Sequence, residues 1–283
     1  MAAQIIINAD DFGRSAAINA AVMQAHRAGV LTSASLMVAG DAAAEAVALA
    51  RSAPSLAVGL HLVVADGRAV LPSNAIPHLV DAAGRFPADP LQVGLRYWFS
   101  RTAQQELAAE LAAQFERFAA TGLRLSHVDG HMHLHIHPTI FKMLLPLAEQ
   151  YGAAGVRLPR DDLWLALRFD RRQAAAKIAW ALALGLTCRW CERRLAGRRL
   201  AVPGRVYGVM QSGQMREPYV AAVLRHLRQS STEIYFHPST AASDEILGPN
   251  PGDLACLLSP TVRQALAKRG LRLATYANLK EVQ

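Results

Sequence analysis

A closed barrel of parallel strands wrapped by helices is the fold this chain predicts, on two observations. Strand-like apolar runs alternate with helical segments through all 283 residues, which is the pattern of a parallel sheet with helical crossovers. The polar residues Asp10, Asp11, His61, His131, Arg157 and His237 each fall at or just past the C-terminal end of a predicted strand. An open doubly wound sheet gathers ligands at one switch point, whereas chemistry contributed by many strand ends fits a closed barrel.

Element by element, Ile5-Ile6-Ile7 is a β-branched run that reads as a buried strand ending at Asn8. Ser15 is placed to cap a helix running to His26, with Gly29 beyond its end. Ser33 to Ala39 and Ala57 to Leu62 read as strands separated by an alanine-rich helix. Thr102 and Gln105 have the spacing of a capping box, opening a helix that stops at Gly122. Leu123 to Val128 is the next strand, and Pro138 suits the first turn of a helix ending near Gly152. Gly155 to Leu158, Arg205 to Val209, Glu233 to His237 and Leu271 to Tyr276 complete the strands, with no repeat or low-complexity linker between them.

The length suits one barrel domain over residues 1–283, since such barrels run to about 250 residues. Hydrophobic content of 52% with 18% charge excludes a disordered chain. Met1-Ala2-Ala3-Gln4 lacks the basic and apolar regions of a signal peptide, so a cytoplasmic location is expected. An odd count of 3 cysteines agrees with a reducing compartment, and Cys188 and Cys191, in an apolar helical context, read as buried thiols.

The chemistry concentrates in four places. Asp10 and Asp11 are adjacent acids where the first apolar run stops. Because successive strand side chains face opposite ways, both can serve one centre only from the turn leaving the strand. His61 ends Val58-Gly59-Leu60-His61, and the segment His127 to His137 carries five histidines and Asp129. If that segment stays extended, His127, Asp129, His131 and His133 share one face. Imidazoles beside carboxylates are ligands for Zn²⁺ and similar ions, with a position left open for water.

Asn8 to Gly13, Gly59-Leu60-His61, His127-x-Asp129-x-His131-x-His133 and Phe236-His237-Pro238 together resemble the YdjC-like carbohydrate deacetylases. The resemblance spans nearly the whole chain and implies an irregular TIM-like barrel of seven or eight strands. It also implies an Asp-His-His metal site, occupied here by Asp11, His61 and His131. The long insert from Trp164 to Met215 resembles the hopanoid-biosynthesis branch called HpnK, which is associated with deacetylating an N-acetylglucosaminyl hopanoid lipid. Soluble chito-oligosaccharides offer the same amide, and a metal-dependent phosphoesterase would use similar ligands.

Amide hydrolysis needs an activated water and a proton for the departing amine. Asp10 is assigned as general base and His237 as general acid, with Asp129 orienting a ligating imidazole from behind. Spacing alone leaves the roles of Asp10 and Asp11 exchangeable. His133 is expected to bind substrate, and Arg157 to contact the sugar or pair with the base, while His127, His135 and His137 read as structural. One divalent ion is expected; the ligand set favours Zn²⁺, and the resemblance also allows Mg²⁺.

Two segments decorate the scaffold. Residues 66–101 carry prolines, glycines and Tyr97-Trp98-Phe99, a candidate lid whose aromatics would stack on a sugar or form a local core. Arg157 to Arg205 holds 12 Lys or Arg against 4 acids, a surplus as large as the net charge of +8 for the whole chain. Within it, Ala174 to Cys188 is apolar apart from Lys177 and too short to span a bilayer. Flanked by Arg171-Arg172 and Arg193-Arg194, it has the composition of a helix lying in an anionic membrane interface. The expected partners are therefore an acetylated amino sugar or glycolipid and the inner membrane face. Nucleic acid is not expected, because the basic surplus coincides with apolar sequence and no nucleic-acid module is visible.

Overall fold

The computed structural model describes residues 3–245 and 247–279. The chain opens with β1 (Gln4–Phe12), α1 (Ala16–Ala28), β2 (Ser33–Leu36), α2 (Ala43–Arg51) and β3 (Ala57–Leu62). An irregular stretch then leads to α3 (Pro90–Phe99), α4 (Arg101–Ala120), β4 (Leu125–Gly130), α5 (Pro138–Gln150) and β5 (Gly155–Val156). The insert contributes α6 (Leu163–Phe169) and α7 (Ala174–Leu195) before β6 (Arg205–Tyr207). The rest is α8 (Glu217–His226), β7 (Ser231–Phe236), α9 (Pro251–Leu258), α10 (Pro260–Lys268) and β8 (Arg272–Leu273).

All pairings are parallel, in the order β5-β4-β3-β2-β1-β7-β6, with β8 added beside the start of β1. The sheet curls as a TIM-like barrel does, and its two end strands are linked without a regular ladder. Beyond β5, Arg160 accepts a backbone bond from Val206 of β6 at 3.0 Å, and Gly155 bridges to Ala201. β1 is central, which explains its composition: Ile5, Ile6 and Ile7 are buried because sheet neighbours and helices cover both faces. One connected apolar cluster runs from Ile5 to Leu266.

Several boundaries move. Ser15 caps α1 as its sequence suggests, accepting from Ile18 N–H. α4, by contrast, is capped by Ser100, which accepts from Ala103 N–H, so Thr102 lies inside the first turn and the expected capping box does not form. β2, β5, β6 and β8 are shorter than the strands expected, stopping at Leu36, Val156, Tyr207 and Leu273. The segment read as a candidate lid is pinned along its length: Glu110 accepts from Val70 and Leu71 N–H at 2.8 and 2.9 Å, and Phe86 N–H donates to the Gly67 carbonyl. Of its aromatics, Tyr97 joins the core and donates to the Val64 carbonyl at 2.7 Å, whereas Trp98 and Phe99 face outward.

Candidate active site

The two acids of β1 converge through a backbone irregularity and not through a turn after the strand. Ala9 pairs with Ala34 and Phe12 with Leu36, so Asp10 and Asp11 together oppose the single residue Ser35 of β2. Such a bulge re-aims side chains. Asp11 has φ 63°, a left-handed conformation that costs a non-glycine residue about 1–3 kcal/mol. The result is that both carboxylates enter the barrel mouth with almost no solvent exposure.

Asp11 faces two imidazoles. Its Oδ1 lies 3.4 Å from His61 Nε2 and 3.2 Å from His131 Nδ1, yet that buried oxygen has no hydrogen-bond partner. His61 Nδ1 pairs with Asp129 Oδ1 at 2.8 Å, which leaves Nε2 as the atom free for a ligand. An orphaned carboxylate oxygen between two imidazole nitrogens, in a group whose ligand atoms lie within 4.8 Å of one another, fits a divalent cation. Gly59 makes room behind it, since a Cβ there would stand 2.4 Å from the ring of His127.

The histidine segment does not stay extended. After β4 the chain turns into a 3-10 stretch, His131–Ile136, with Met132 at φ 53° and His133 at φ 58°. The expected single face is thereby broken. His131 turns to Asp11, His133 Nε2 meets the Tyr235 hydroxyl at 3.0 Å, and His135 Nε2 bonds the Arg157 carbonyl at 2.9 Å. His127 stacks on Tyr276 with ring centroids 4.4 Å apart, and His137 caps α5.

Arg157 organises the floor. Its guanidinium donates bidentately to Asp10 at 2.7 and 2.8 Å and reaches Asp129 at 2.9 Å and Glu233 at 2.7 Å. Of the two uses open to it, pairing with Asp10 is the one with contacts; having no exposed surface, it offers nothing to a sugar. Burial raises the Asp10 carboxyl, but Arg157 more than offsets this and holds it below the usual range. Burial would likewise lower His61, yet Asp129, with Asp11 and Asp10, pushes it up to about 10. Arg157→Leu strands these carboxylates, so stability should fall by about 3–5 kcal/mol in urea unfolding; a loss under about 1 kcal/mol would contradict the network.

Acid should also unfold the chain. Burial lowers the His127 and His135 rings to about 4, whereas an unfolded histidine titrates near 6.5. The unfolded state then binds more protons between those values, so stability is complete above about pH 6.5 and is lost as pH falls toward 4. Each ring contributes on the order of 3 kcal/mol. Unfolding midpoints measured from pH 7 to 4 should fall, and His127→Gln should flatten that dependence; an unchanged slope would argue against it.

His237 follows β7; its Nδ1 lies 3.4 Å from Ser212 Oγ, and its backbone N–H donates to Asp253 at 3.0 Å. Arg14 reaches over the mouth, donating to Asp11 Oδ2 at 3.2 Å and pairing with Glu245.

The family profile described as YdjC-like protein matches residues 4–268. The chain belongs to the YdjC-like family. This YdjC-like protein is 32% identical over 277 residues to a carbohydrate deacetylase of Geobacillus stearothermophilus, covering 96% of each chain. It is 31% identical over 288 residues to a chitooligosaccharide deacetylase of Serratia marcescens, covering 97% of this chain and 98% of that one. A carbohydrate deacetylase of Brevibacillus brevis is 43% identical over 162 residues, 57% of this chain and 60% of the other. The crystal structure of a proposed cellobiose-phosphate cleavage protein from Enterococcus faecalis V583 superimposes with TM-score 0.73 over 99% of this chain and 100% of that chain, at 24% identity, a likeness of fold.

Besides Arg14, four residues around the YdjC-like site were not foreseen from the sequence. Glu233 holds Arg157 and accepts from the Tyr276 hydroxyl at 2.5 Å; Ser35 donates to Asp129 at 2.7 Å; Tyr235 lies under Arg157, 4.6 Å from ring centroid to guanidinium carbon. Of these, Glu233 carried a signal, as the one charge inside a strand.

Proposed function

We propose that this YdjC-like protein is a metal-dependent hydrolase, working as one domain, that removes the N-acetyl group from an acetylated amino sugar. The observation that carries the reading is the unpartnered Asp11 oxygen between His61 and His131, with Asp10 beside it. The names of relatives matched along nearly their whole length support the reaction class.

Asp11, His61 and His131 would hold one divalent ion, and their mixed nitrogen and oxygen donors favour Zn²⁺ over Mg²⁺. When bound, the ion would polarise the acetyl carbonyl and acidify water at the site. Asp10, kept ionised by Arg157, takes the proton of the attacking water. His237 delivers a proton to the amide nitrogen as the C–N bond breaks, leaving acetate and a free amine. His133, set by Tyr235, is available to the sugar. Asp129 fixes the His61 ring.

A phosphoesterase would often pair two ions. The second acidic group, Asp10 with His61 and Asp129, is already saturated by Arg157, which favours a single-ion hydrolase. For the acceptor, the basic and apolar insert favours a lipid-linked N-acetylglucosamine of the hopanoid type, met at the inner membrane face; chito-oligosaccharides fit the relatives' names equally. Purified protein should carry one equivalent of metal and release acetate from N-acetylated glucosamine substrates. Release of phosphate from phosphoesters, with no acetate from any amide, would reject the reading.

A further inference from the structure

The direction of the insert decides which of its residues can meet a surface. Only the second half of α7 is packed: Leu184, Cys188, Cys191 and Leu195 are its buried residues. Cys191 Sγ lies 3.6 Å from the Ile136 carbonyl oxygen, at the mouth end of α5. Further along the chain, Arg198 pairs with Glu149 in the last turn of α5, at the end away from the site. α7 therefore descends alongside α5, and its first half projects beyond the rim that carries His131. At 1.5 Å per residue, that projection is about 15 Å long. Ile178, Trp180 and Leu182 are exposed on it, with Leu186 exposed one turn further along α7, and its one charge, Lys177, turns back to Asp170 at 2.9 Å.

A second apolar ridge stands at the same rim. Leu91, Leu95 and Trp98 follow helical spacing on α3, and Phe99 beside them is 78% exposed. Trp98 meets the edge of His137 with centroids 5.2 Å apart, and His137 caps the mouth end of α5. Between α6 and α7 an open groove of about 520 Å³ is lined by Trp164, Leu167, Arg168, Arg171 and Ala174. Exposed guanidinium groups beside an indole suit an anionic phosphate at an apolar boundary.

We infer that this mouth-side rim, formed by the first half of α7 with α6 and α3, docks on an anionic phospholipid bilayer. The α6–α7 groove receives the phosphate headgroups. Arg193, Arg194, Arg198 and Arg199 take no part, because the first two lie in the last turn of the packed half of α7 and the other two beyond it, where the chain runs on toward Glu149 at the far end of α5. Among the described residues no helix is long and apolar enough to cross a membrane, so the contact is interfacial. The purpose of the docking rests on the lipid-linked substrate proposed above, while the docking itself stands on geometry and charge.

The test uses the full chain with vesicles of phosphatidylglycerol and phosphatidylcholine. The parent should co-sediment with anionic vesicles and shift its tryptophan emission to the blue, because Trp98, Trp164 and Trp180 are exposed. Leu182→Gln with Leu186→Gln, and separately Leu91→Gln with Leu95→Gln, should each weaken vesicle partition by about tenfold or more. Arg168→Gln with Arg171→Gln should do the same for anionic vesicles alone, whereas Arg193→Gln with Arg194→Gln should change partition by less than about twofold. All four variants should keep the parent's acetate release from a soluble chito-oligosaccharide. Absence of vesicle binding by the parent, equal loss in the Arg193 and Arg194 variant, or a parent dimer that the leucine variants dissociate would overturn the inference. Vesicle binding as described, with no acetate released from any substrate, would uphold the docking and reject the catalytic reading instead.

Discussion

Asp10→Asn should leave the chain folded and its metal bound while turnover falls by at least about a hundredfold, the usual scale for removing a general base. The change is nearly isosteric, and the Asn8 amide, which donates to Asp10 at 2.8 Å, and the guanidinium of Arg157 have partners besides Asp10 in Ser35, Asp129 and Glu233. What disappears is the carboxylate proposed to accept the proton of water. His237→Ala should lose turnover on the same scale with the metal retained, since its side chain meets Ser212 and the ring of Tyr235 and is not among the three candidate ligands. Metal analysis alongside acetate release separates the possibilities: if Asp10→Asn empties the site, Asp10 is the ligand and Asp11 the base.

His131→Ala should remove most of the bound metal and nearly all activity, with little change in fold, because His131 sits on the 3-10 stretch at the mouth and not in the apolar core. Asp129→Asn provides the comparison. It acts on His61 through one hydrogen bond, so its loss in metal affinity should be about 10–100-fold, the range for an outer partner of a ligating histidine, and smaller than that of His131→Ala. Full metal occupancy in His131→Ala would sink the ligand assignment outright.

Much of this was legible because local signals and tertiary needs coincide. The isoleucine run of β1, the Ser15 cap and Pro138 at the start of α5 declare their elements locally. Thr102 misled because two hydroxyl-bearing residues, Ser100 and Thr102, stand two positions apart and compete for one cap. Ser100 won, since the chain leaving α3 is already extended there, at φ −98° and ψ 112°.

By itself the sequence determined the parallel α/β alternation and the strand ends from which chemistry would come, because residue type and position at a strand end are local properties; the Asp11, His61 and His131 candidates came from the family resemblance. Tertiary structure alone decided how those groups are aimed. The bulge opposite Ser35 brings both acids of β1 inward, and the left-handed turn at Met132 and His133 scatters a row of histidines that alternation would have aligned. Pairing of Arg157 with the base was one of two uses open from the sequence, but its partner Glu233 was out of reach: Asp10 and Glu233 come from neighbouring strands far apart in the chain and meet one guanidinium only after the sheet has curled. The insert obeys the same limit. Its composition marks a basic and apolar segment, but which half packs on α5 and which half stands clear of the barrel is fixed by contacts that no local pattern encodes.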